Sequence, residues 1–273
     1  MISIITMLRN YISSYVYHND YLQTIKSTFL LYRRITEQYQ DPETLKTIQL
    51  LIPEHIILQT KKDDQVVSLL KWFKNDFMSW TSKDPICKRC TIDDADSSNA
   101  DGSHDRRRIR IPMQVQIETG SSWKLRSVEV HKCNNCKHQY IFPRYGEILK
   151  IAEKRTGRCS EWSMLFGAIL NTLGIETRIV HDFLDHCWNE AMLNGKWVHV
   201  DSTLTYPISL NHPYYYEQNW GKKYEYILAF SADKVEDVTQ AYTVEWDNIV
   251  QRRIKNNKKK NNTINFAKVY SEI

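Results

Sequence analysis

The stretch 156–203, TGRCSEWSMLFGAILNTLGIETRIVHDFLDHCWNEAMLNGKWVHVDST, decides the fold of this chain and carries Cys159, His186 and Asp201 in that order. From Cys159 the apolar positions Trp162, Leu165, Phe166, Ile169, Leu170 and Leu173 recur at i+3, i+4 and i+7. Gly174 then supplies a stop, so the spacing predicts a buried helix from about Cys159 to Leu173. Cys159 falls in its first turn. Unpaired backbone N–H groups and the positive dipole end favour a thiolate there, and Arg158 pushes the same way.

The second half of the stretch predicts geometry. Asn194-Gly195 between two alternating runs signals a two-residue type I′ hairpin turn. That turn sets Leu193 opposite Lys196, Ala191 opposite Val198, Trp188 opposite Asp201 and His186 opposite Thr203. His186 and Asp201 become diagonal neighbours on one face, with Cβ atoms roughly 7–8 Å apart. Taken singly, Cys159 reads as a small buried residue, His186 as a strand histidine and Asp201 as a turn former. Their joint placement reads as chemistry at an amide: a thiolate nucleophile, an imidazole that takes and returns a proton, and an acid that holds the ring in one tautomer. The backbone N–H of Cys159 is a natural oxyanion donor.

At 273 residues the chain is long enough for one large or two modest cores. Its net charge of +5 is uneven, because Gln251–Asn262 (QRRIKNNKKKNN) holds six basic residues and no acidic one. That segment reads first as a solvated tail and second as a partner or nucleic-acid contact, and nucleic acid is not an expected partner. No apolar run reaches the ~18–20 residues of a membrane span, and MISIITMLRN has the wrong order of charge and apolar residues for a secretory signal. Four of six cysteines form two C-x-x-C pairs, Cys87/Cys90 and Cys133/Cys136. Their thiolates suit tetrahedral Zn²⁺ in a closed structural site, which has no open position for catalysis. His104, His131 or His138 could replace a ligand, and a redox role for either pair is the weaker alternative. Thiols used in this way indicate a reducing compartment, cytosol or nucleus.

The remaining segments read as follows. Met1–Gln59 is helical and amphipathic, with Tyr15, Tyr17, Phe29 and Tyr32 as packing residues, Pro42 opening a helix and Pro53 ending one. Asp64–Trp80 is a helix capped by Asp63 or Asp64, with Leu69, Leu70, Trp72, Phe73, Phe77 and Trp80 on its apolar side. Asp93–Asp105 is a polar loop, and RIRIPMQVQI and RSVEVHKC are strands. Glu147–Lys154 is a short helix, and Thr205–Trp220 is a rigid aromatic loop. Tyr224–Ser231 and Val235–Thr239 are strands, and Glu245–Ile254 is a closing helix.

GRCSEWS, DHCWNEA, GKWVHVDS and NWGKKYEYILAF, preceded by the two C-x-x-C pairs and KWFKNDFMSW, resemble the cytoplasmic peptide:N-glycanase family. The resemblance spans about Val66 to Tyr242. It implies an α+β fold: a papain/transglutaminase-like core with a helical lobe, an antiparallel sheet and a four-cysteine zinc-binding lobe. Residues 1–62 would form an N-terminal helical extension, 63–245 the core (zinc lobe about 83–142) and 246–273 a C-terminal helix and basic tail. The implied enzyme cleaves the amide between N-acetylglucosamine and asparagine on misfolded glycoproteins bound for proteasomal disposal, in the cytoplasm or also the nucleus. Cys159 would be nucleophile, His186 base and Asp201 orienting acid. Cys87, Cys90, Cys133 and Cys136 would hold one Zn²⁺, Trp220 and Lys222 would contact glycan, and a Rad23-type shuttle would be a partner. The chain departs from the family pattern at Ser160, where Gly is usual, at Ser163, where a second Cys is usual, and at Leu204, where many relatives have a Glu used near the sugar. It also resembles the compact fungal or protist form, without the adaptor and sugar-binding domains of the animal enzymes. Rival functions on the same core are a transglutaminase-type acyltransferase, a cysteine protease, or a non-catalytic Rad4/XPC-like binding module.

Overall fold

The computed structural model describes residues 27–82, 87, 89–90, 125–133 and 135–260. The expectations placed on Tyr15, Tyr17, the 93–105 loop, His104, RIRIPMQVQI and residues 261–273 lie outside them.

Helix α1 (27–38) buries Phe29, Tyr32 and Ile35 at three-residue spacing. Asp41 caps α2 (Pro42–Gln49) through Thr44 N–H at 3.0 Å, and Pro42 occupies the first helical position, where its missing donor costs nothing. Pro53 does not end a helix. It opens the one-turn α3 (Glu54–Ile57), for the same reason.

Helix α4 runs Lys62–Trp72 and widens into a π turn at Phe73–Phe77, three residues short of the expected end. It is preceded by Lys61, and Asp63 and Asp64 sit inside its first turn, where carboxylates suit the dipole, rather than at the cap. The wide turn stacks Phe73 on Phe77 at 5.7 Å and sets Phe73 edge-on to Trp162 and Phe166. The backbone then extends as β1 (Ser79–Trp80), parallel to β4 (Thr156–Gly157), and Trp80 leaves the core, 52% exposed.

An antiparallel hairpin follows, β2 (Leu125–Lys132) with β3 (Gln139–Tyr145). After α5 (Ile148–Lys154), capped by a left-handed Arg155, and β4 comes the central helix α6 (Cys159–Thr172). Gly174 at φ +69 ends it where the sequence predicts. The main sheet is antiparallel in the order β7-β6-β5-β8-β9: β5 Thr177–His181, β6 Cys187–Leu193, β7 Lys196–Val200, β8 Leu228–Phe230, β9 Val235–Asp237. Asn194 (φ 52) and Gly195 (φ 75) make the two-residue turn, and the β6–β7 register is Leu193–Lys196, Ala191–Val198, Asn189–Val200.

Alternation along β5 splits the core. Ile179 joins α1–α6 on one face, and Val180 joins an aromatic cluster of Trp188, Tyr216, Tyr224 and Tyr242 on the other. The expected strands after residue 224 are shorter than predicted, and the second runs into a 3₁₀ turn at Thr239–Tyr242. Between the sheet's edge and β8, the aromatic loop ends in a short helix, α7 (Tyr215–Trp220). The closing helix α8 extends over Trp246–Lys260 and takes in much of the segment expected as a solvated tail. Arg252 bonds Tyr224 O and Arg253 bonds Glu225 O, so these cations are tied to the segment that leads into β8. The fold is α+β, with a helical layer, an antiparallel sheet and a separate cysteine-bearing hairpin.

Candidate active site

Cys159 is the first residue of α6, with Arg158 as the preceding, extended N-cap. Glu161, three residues beyond the cap, folds back so that its Oε2 accepts the Arg158 N–H at 3.0 Å, the reciprocal half of a capping box. Gly157 makes room for this, because a Cβ there would stand 2.3 Å from Glu161 Cβ. Cys159 itself is half-buried.

His186 and Asp201 meet, with Nε2 2.8 Å from Oδ2. The ladder itself stops at Asn189–Val200, so the expected Trp188–Asp201 and His186–Thr203 pairs are not part of it, and both residues stand one position beyond β6 and β7. Both are buried. With Nε2 committed to Asp201, Nδ1 is the nitrogen left for Cys159. Bonds from the Cys187 thiol and then the His186 imidazole outweigh burial and hold the Cys159 thiol down to about 5. Burial opposes a charged His186, but Asp201 and the Cys159 sulfur overcome it and lift the ring to about 10. Burial likewise works against the Asp201 carboxylate, yet His186 keeps it well below the ordinary carboxylate range. The pair rests as thiolate and imidazolium.

Asp201 is bonded on every side. Oδ1 accepts from the Thr203 N–H (2.8 Å) and hydroxyl (2.7 Å), and Oδ2 takes both His186 and the Tyr216 hydroxyl (2.7 Å). Tyr216 in turn lies 2.6 Å from His199 Nε2, while His199 Nδ1 accepts the His212 N–H. Burial pushes His199 down to about 4, so it is neutral and its remaining proton sits on Nε2. The hydrogen bonds therefore run one way, His199 to Tyr216 to Asp201. Residue-by-residue reading of the sequence misses Tyr216 and His199. The available signal is the two-residue period that puts His199 on the same strand face as Asp201.

Asp182 anchors the turn before His186: its Oδ1 accepts the N–H groups of Leu184 and His186. Lys222 reaches this turn, its Nζ 2.5 Å from Asp182 Oδ2 and 2.7 Å from Leu184 O. Its ammonium is thus engaged within the protein. Trp220, 45% exposed, stands edge-on to the His186 ring at 5.0 Å. Lys74 bonds Thr203 O, in the turn that follows Asp201, at 2.5 Å.

The second constellation is the cysteine cluster. Cys87, Cys90, Cys133 and Cys136 place their sulfurs within 4.8 Å of one another. Cys87–Cys136 and Cys90–Cys133 both stand at 3.5 Å, and the hairpin end is closed by Cys133 N–H to His138 O at 2.7 Å. Four thiols in this space fit a tetrahedral metal ion. Of the alternative ligands, His131 turns its Nε2 toward Glu129 at 3.5 Å.

The family described as Transglutaminase-like superfamily matches residues 113–202, a span that includes Cys159, His186 and Asp201. Three curated relatives carry the name peptide-N(4)-(N-acetyl-beta-glucosaminyl)asparagine amidase. That of Yarrowia lipolytica is 34% identical over 193 residues, 70% of this chain and 50% of the relative. That of Saccharomyces cerevisiae is 37% identical, over 67% of this chain and 47% of the relative. That of Caenorhabditis briggsae is 33% identical, over 83% and 36%.

The chain belongs to the peptide:N-glycanase family of the transglutaminase-like superfamily. It spans half or less of the length of these relatives. The fold is also similar to a Rad4–Rad23 structure bound to a 6-4 photoproduct UV lesion, at 11% identity and a TM-score of 0.45, over 93% of this chain and 58% of that one. Departures from the peptide:N-glycanase pattern have definite places here. Ser160 accepts Arg144 at 2.6 Å, and Ser163 bonds Ser160 O and lies 3.4 Å from Cys187. Leu204 follows Asp201 in its turn, packs on the aromatic cluster, and brings no carboxylate to the cleft.

Proposed function

We propose that this chain is a peptide-N4-(N-acetyl-beta-glucosaminyl)asparagine amidase that uses Cys159, His186 and Asp201. The observation that carries the reading is the buried Asp201–His186 pair bonded to a half-buried thiol on a helix N-terminus, in a chain of this family. The Cys159 thiolate attacks the carbonyl of a glycosylated asparagine side chain. Oxygen charge develops beside the Cys159 N–H, one of the orphan donors of the helix start. His186 Nδ1 gives its proton to the departing glycosylamine nitrogen, leaving a thioester on Cys159. His186 then accepts a proton from water as the water attacks that thioester, and aspartate is released with the free thiolate. Asp201, held by Thr203 and Tyr216, keeps the imidazole oriented through both steps. Trp220 offers an exposed ring for a sugar face beside His186. Lys222 is proposed with it on the glycan side, acting through the Asp182 turn that it grips.

The four cysteines would hold Zn²⁺, whose contribution is structural: a closed thiolate site clamps the hairpin to the segment carrying Cys87 and Cys90. Substrates would be misfolded N-glycoproteins during endoplasmic-reticulum-associated degradation, with a Rad23-type shuttle as partner. Free thiols support a cytoplasmic or nuclear site of action. Among the described residues no helix is long and apolar enough to cross a membrane.

The test is mass spectrometry of a denatured high-mannose glycopeptide after incubation. Conversion of Asn to Asp with release of the intact glycan, lost in Cys159→Ala, supports the reading. Peptide-bond cleavage, amine cross-linking or full activity of Cys159→Ala would replace it.

A further inference from the structure

Two arginines and two glutamates form a network at the start of α6, in which Glu129, Arg158 and Glu161 are buried and Arg144 is half-buried. Glu129 on β2 and Arg144 on β3 are diagonal cross-strand neighbours of the cysteine-bearing hairpin, since Glu129 pairs with Phe142 and Ser127 with Arg144. Arg158 and Glu161 belong to the start of α6. Glu129 Oε1 accepts Arg144 at 2.8 Å and Arg158 at 2.9 Å, and its Oε2 accepts Arg158 at 2.6 Å. Arg144 Nε donates to Glu161 Oε1 at 2.7 Å. Both guanidinium groups lie 5.2 Å from the Phe142 ring. The four charges cancel, and burial makes a broken member expensive because its partner would be left unpaired.

The position of this network relative to Cys159 matters most. Arg158, Ser160 and Glu161 bracket the thiol, and each is held from the hairpin: Arg158 by Glu129, Ser160 by Arg144 at 2.6 Å, Glu161 by Arg144. Arg158 also bonds Thr81 O at 3.2 Å, next to β1. The turn at the far end of the same two strands carries Cys133 and Cys136. We propose that Arg144 and Glu129 are positioning residues for the nucleophile, through which the hairpin of the four-cysteine lobe sets where the first turn of α6 presents Cys159 to His186. The inference rests on Cys159 being the nucleophile. It gives the cysteine lobe a role in turnover beyond holding the chain folded.

The experiment compares wild type with Glu129→Gln, Arg144→Lys and Arg144→Met. Iodoacetamide alkylation of Cys159 is followed against pH by peptide mass spectrometry, beside kcat, KM and thermal midpoint. In wild type the alkylation midpoint should lie near 5, the value set by Cys187 and His186. Each variant that folds should show that midpoint moved toward the ordinary thiol range, with kcat down about 10- to 100-fold and KM nearly unchanged, the cost of a small misplacement of reacting atoms. Arg144→Lys should recover part of the loss. Should Arg144→Met fail to fold, Glu129→Gln and Arg144→Lys carry the test. A lowered thermal midpoint with unchanged alkylation profile and kcat would overturn the proposal and leave the network purely structural. Failure of the nucleophile assignment looks different: wild-type Cys159 would alkylate as an ordinary thiol, or Cys159→Ala would stay active.

Discussion

The Tyr216 hydroxyl stands 2.7 Å from Asp201 Oδ2, the same oxygen that holds His186. The carboxylate that steadies the base is therefore itself steadied, from a helix on the far side of the sheet's edge. Tyr216→Phe removes one charge-assisted bond without changing packing, and orphans the His199 proton. Such bonds are worth about 1.5–3 kcal/mol. The variant should fold with a modestly lower thermal midpoint and lose about tenfold or more in kcat, with KM retained. Glycan release kinetics and a melting curve check this. Unchanged kcat would mean that Thr203 and His186 alone suffice to hold Asp201.

Asp201→Asn tests the carboxylate directly. The amide keeps the shape but can present a donor to Nε2, favouring the wrong tautomer. Turnover should fall by about ten-thousand-fold while the protein stays folded. Circular dichroism beside the activity assay separates this outcome from global unfolding, which would make Asp201 structural.

The pH profile follows from two opposed shifts. Cys159 is depressed from 9.0 to about 5, so its thiolate persists down to that pH. His186 is raised from 6.5 to about 10, so its imidazolium persists up to there. Activity should be flat between these limits, with an acid limb near 5 and a basic limb near 10. Stability follows the same signs: the thiolate contribution fades as pH falls through about 5, and the imidazolium contribution as pH rises through about 10. In His186→Ala the alkylation midpoint of Cys159 should rise, because burial and the Glu161 carboxylate push it up and only the Cys187 bond still holds it down. A midpoint unchanged in that variant would assign the depression to Cys187 alone.

One metal ion per chain, Zn²⁺ by elemental analysis, should accompany the four cysteines. Chelation or Cys133→Ser should lower the thermal midpoint by about 5–10 °C, because metal binding at a closed thiolate site is folding energy. A metal-free protein of undiminished stability would contradict the assignment.

Gly157→Ala probes the helix start without touching a charge. The added Cβ would lie 2.3 Å from Glu161 Cβ, so Glu161 must give way. The expected destabilisation is about 1–3 kcal/mol, as for other overpacked sites. Urea titration measures it, and a value near zero would show that the capping box has slack.

Short-range physics made much of this protein legible from its residues. Helical periodicity after Cys159, the Asn194-Gly195 turn and the two-residue strand period are local rules, and they set the helix start at Cys159 and the β6–β7 register up to Asn189–Val200, at whose open end His186 and Asp201 stand. Local propensity misled where tertiary packing outbid it. The π turn at Phe73–Phe77 answers to Trp162 and Phe166, residues far along the chain, and the basic segment stays helical because Arg252 and Arg253 find carbonyls at 224 and 225. The Arg144–Glu129–Arg158–Glu161 network, the Tyr216–Asp201 bond and the Lys222–Asp182 bond join residues 15 to 40 positions apart across different elements. No spacing rule links such positions. Only the folded chain, by burying their charges together, decides which partner each one takes.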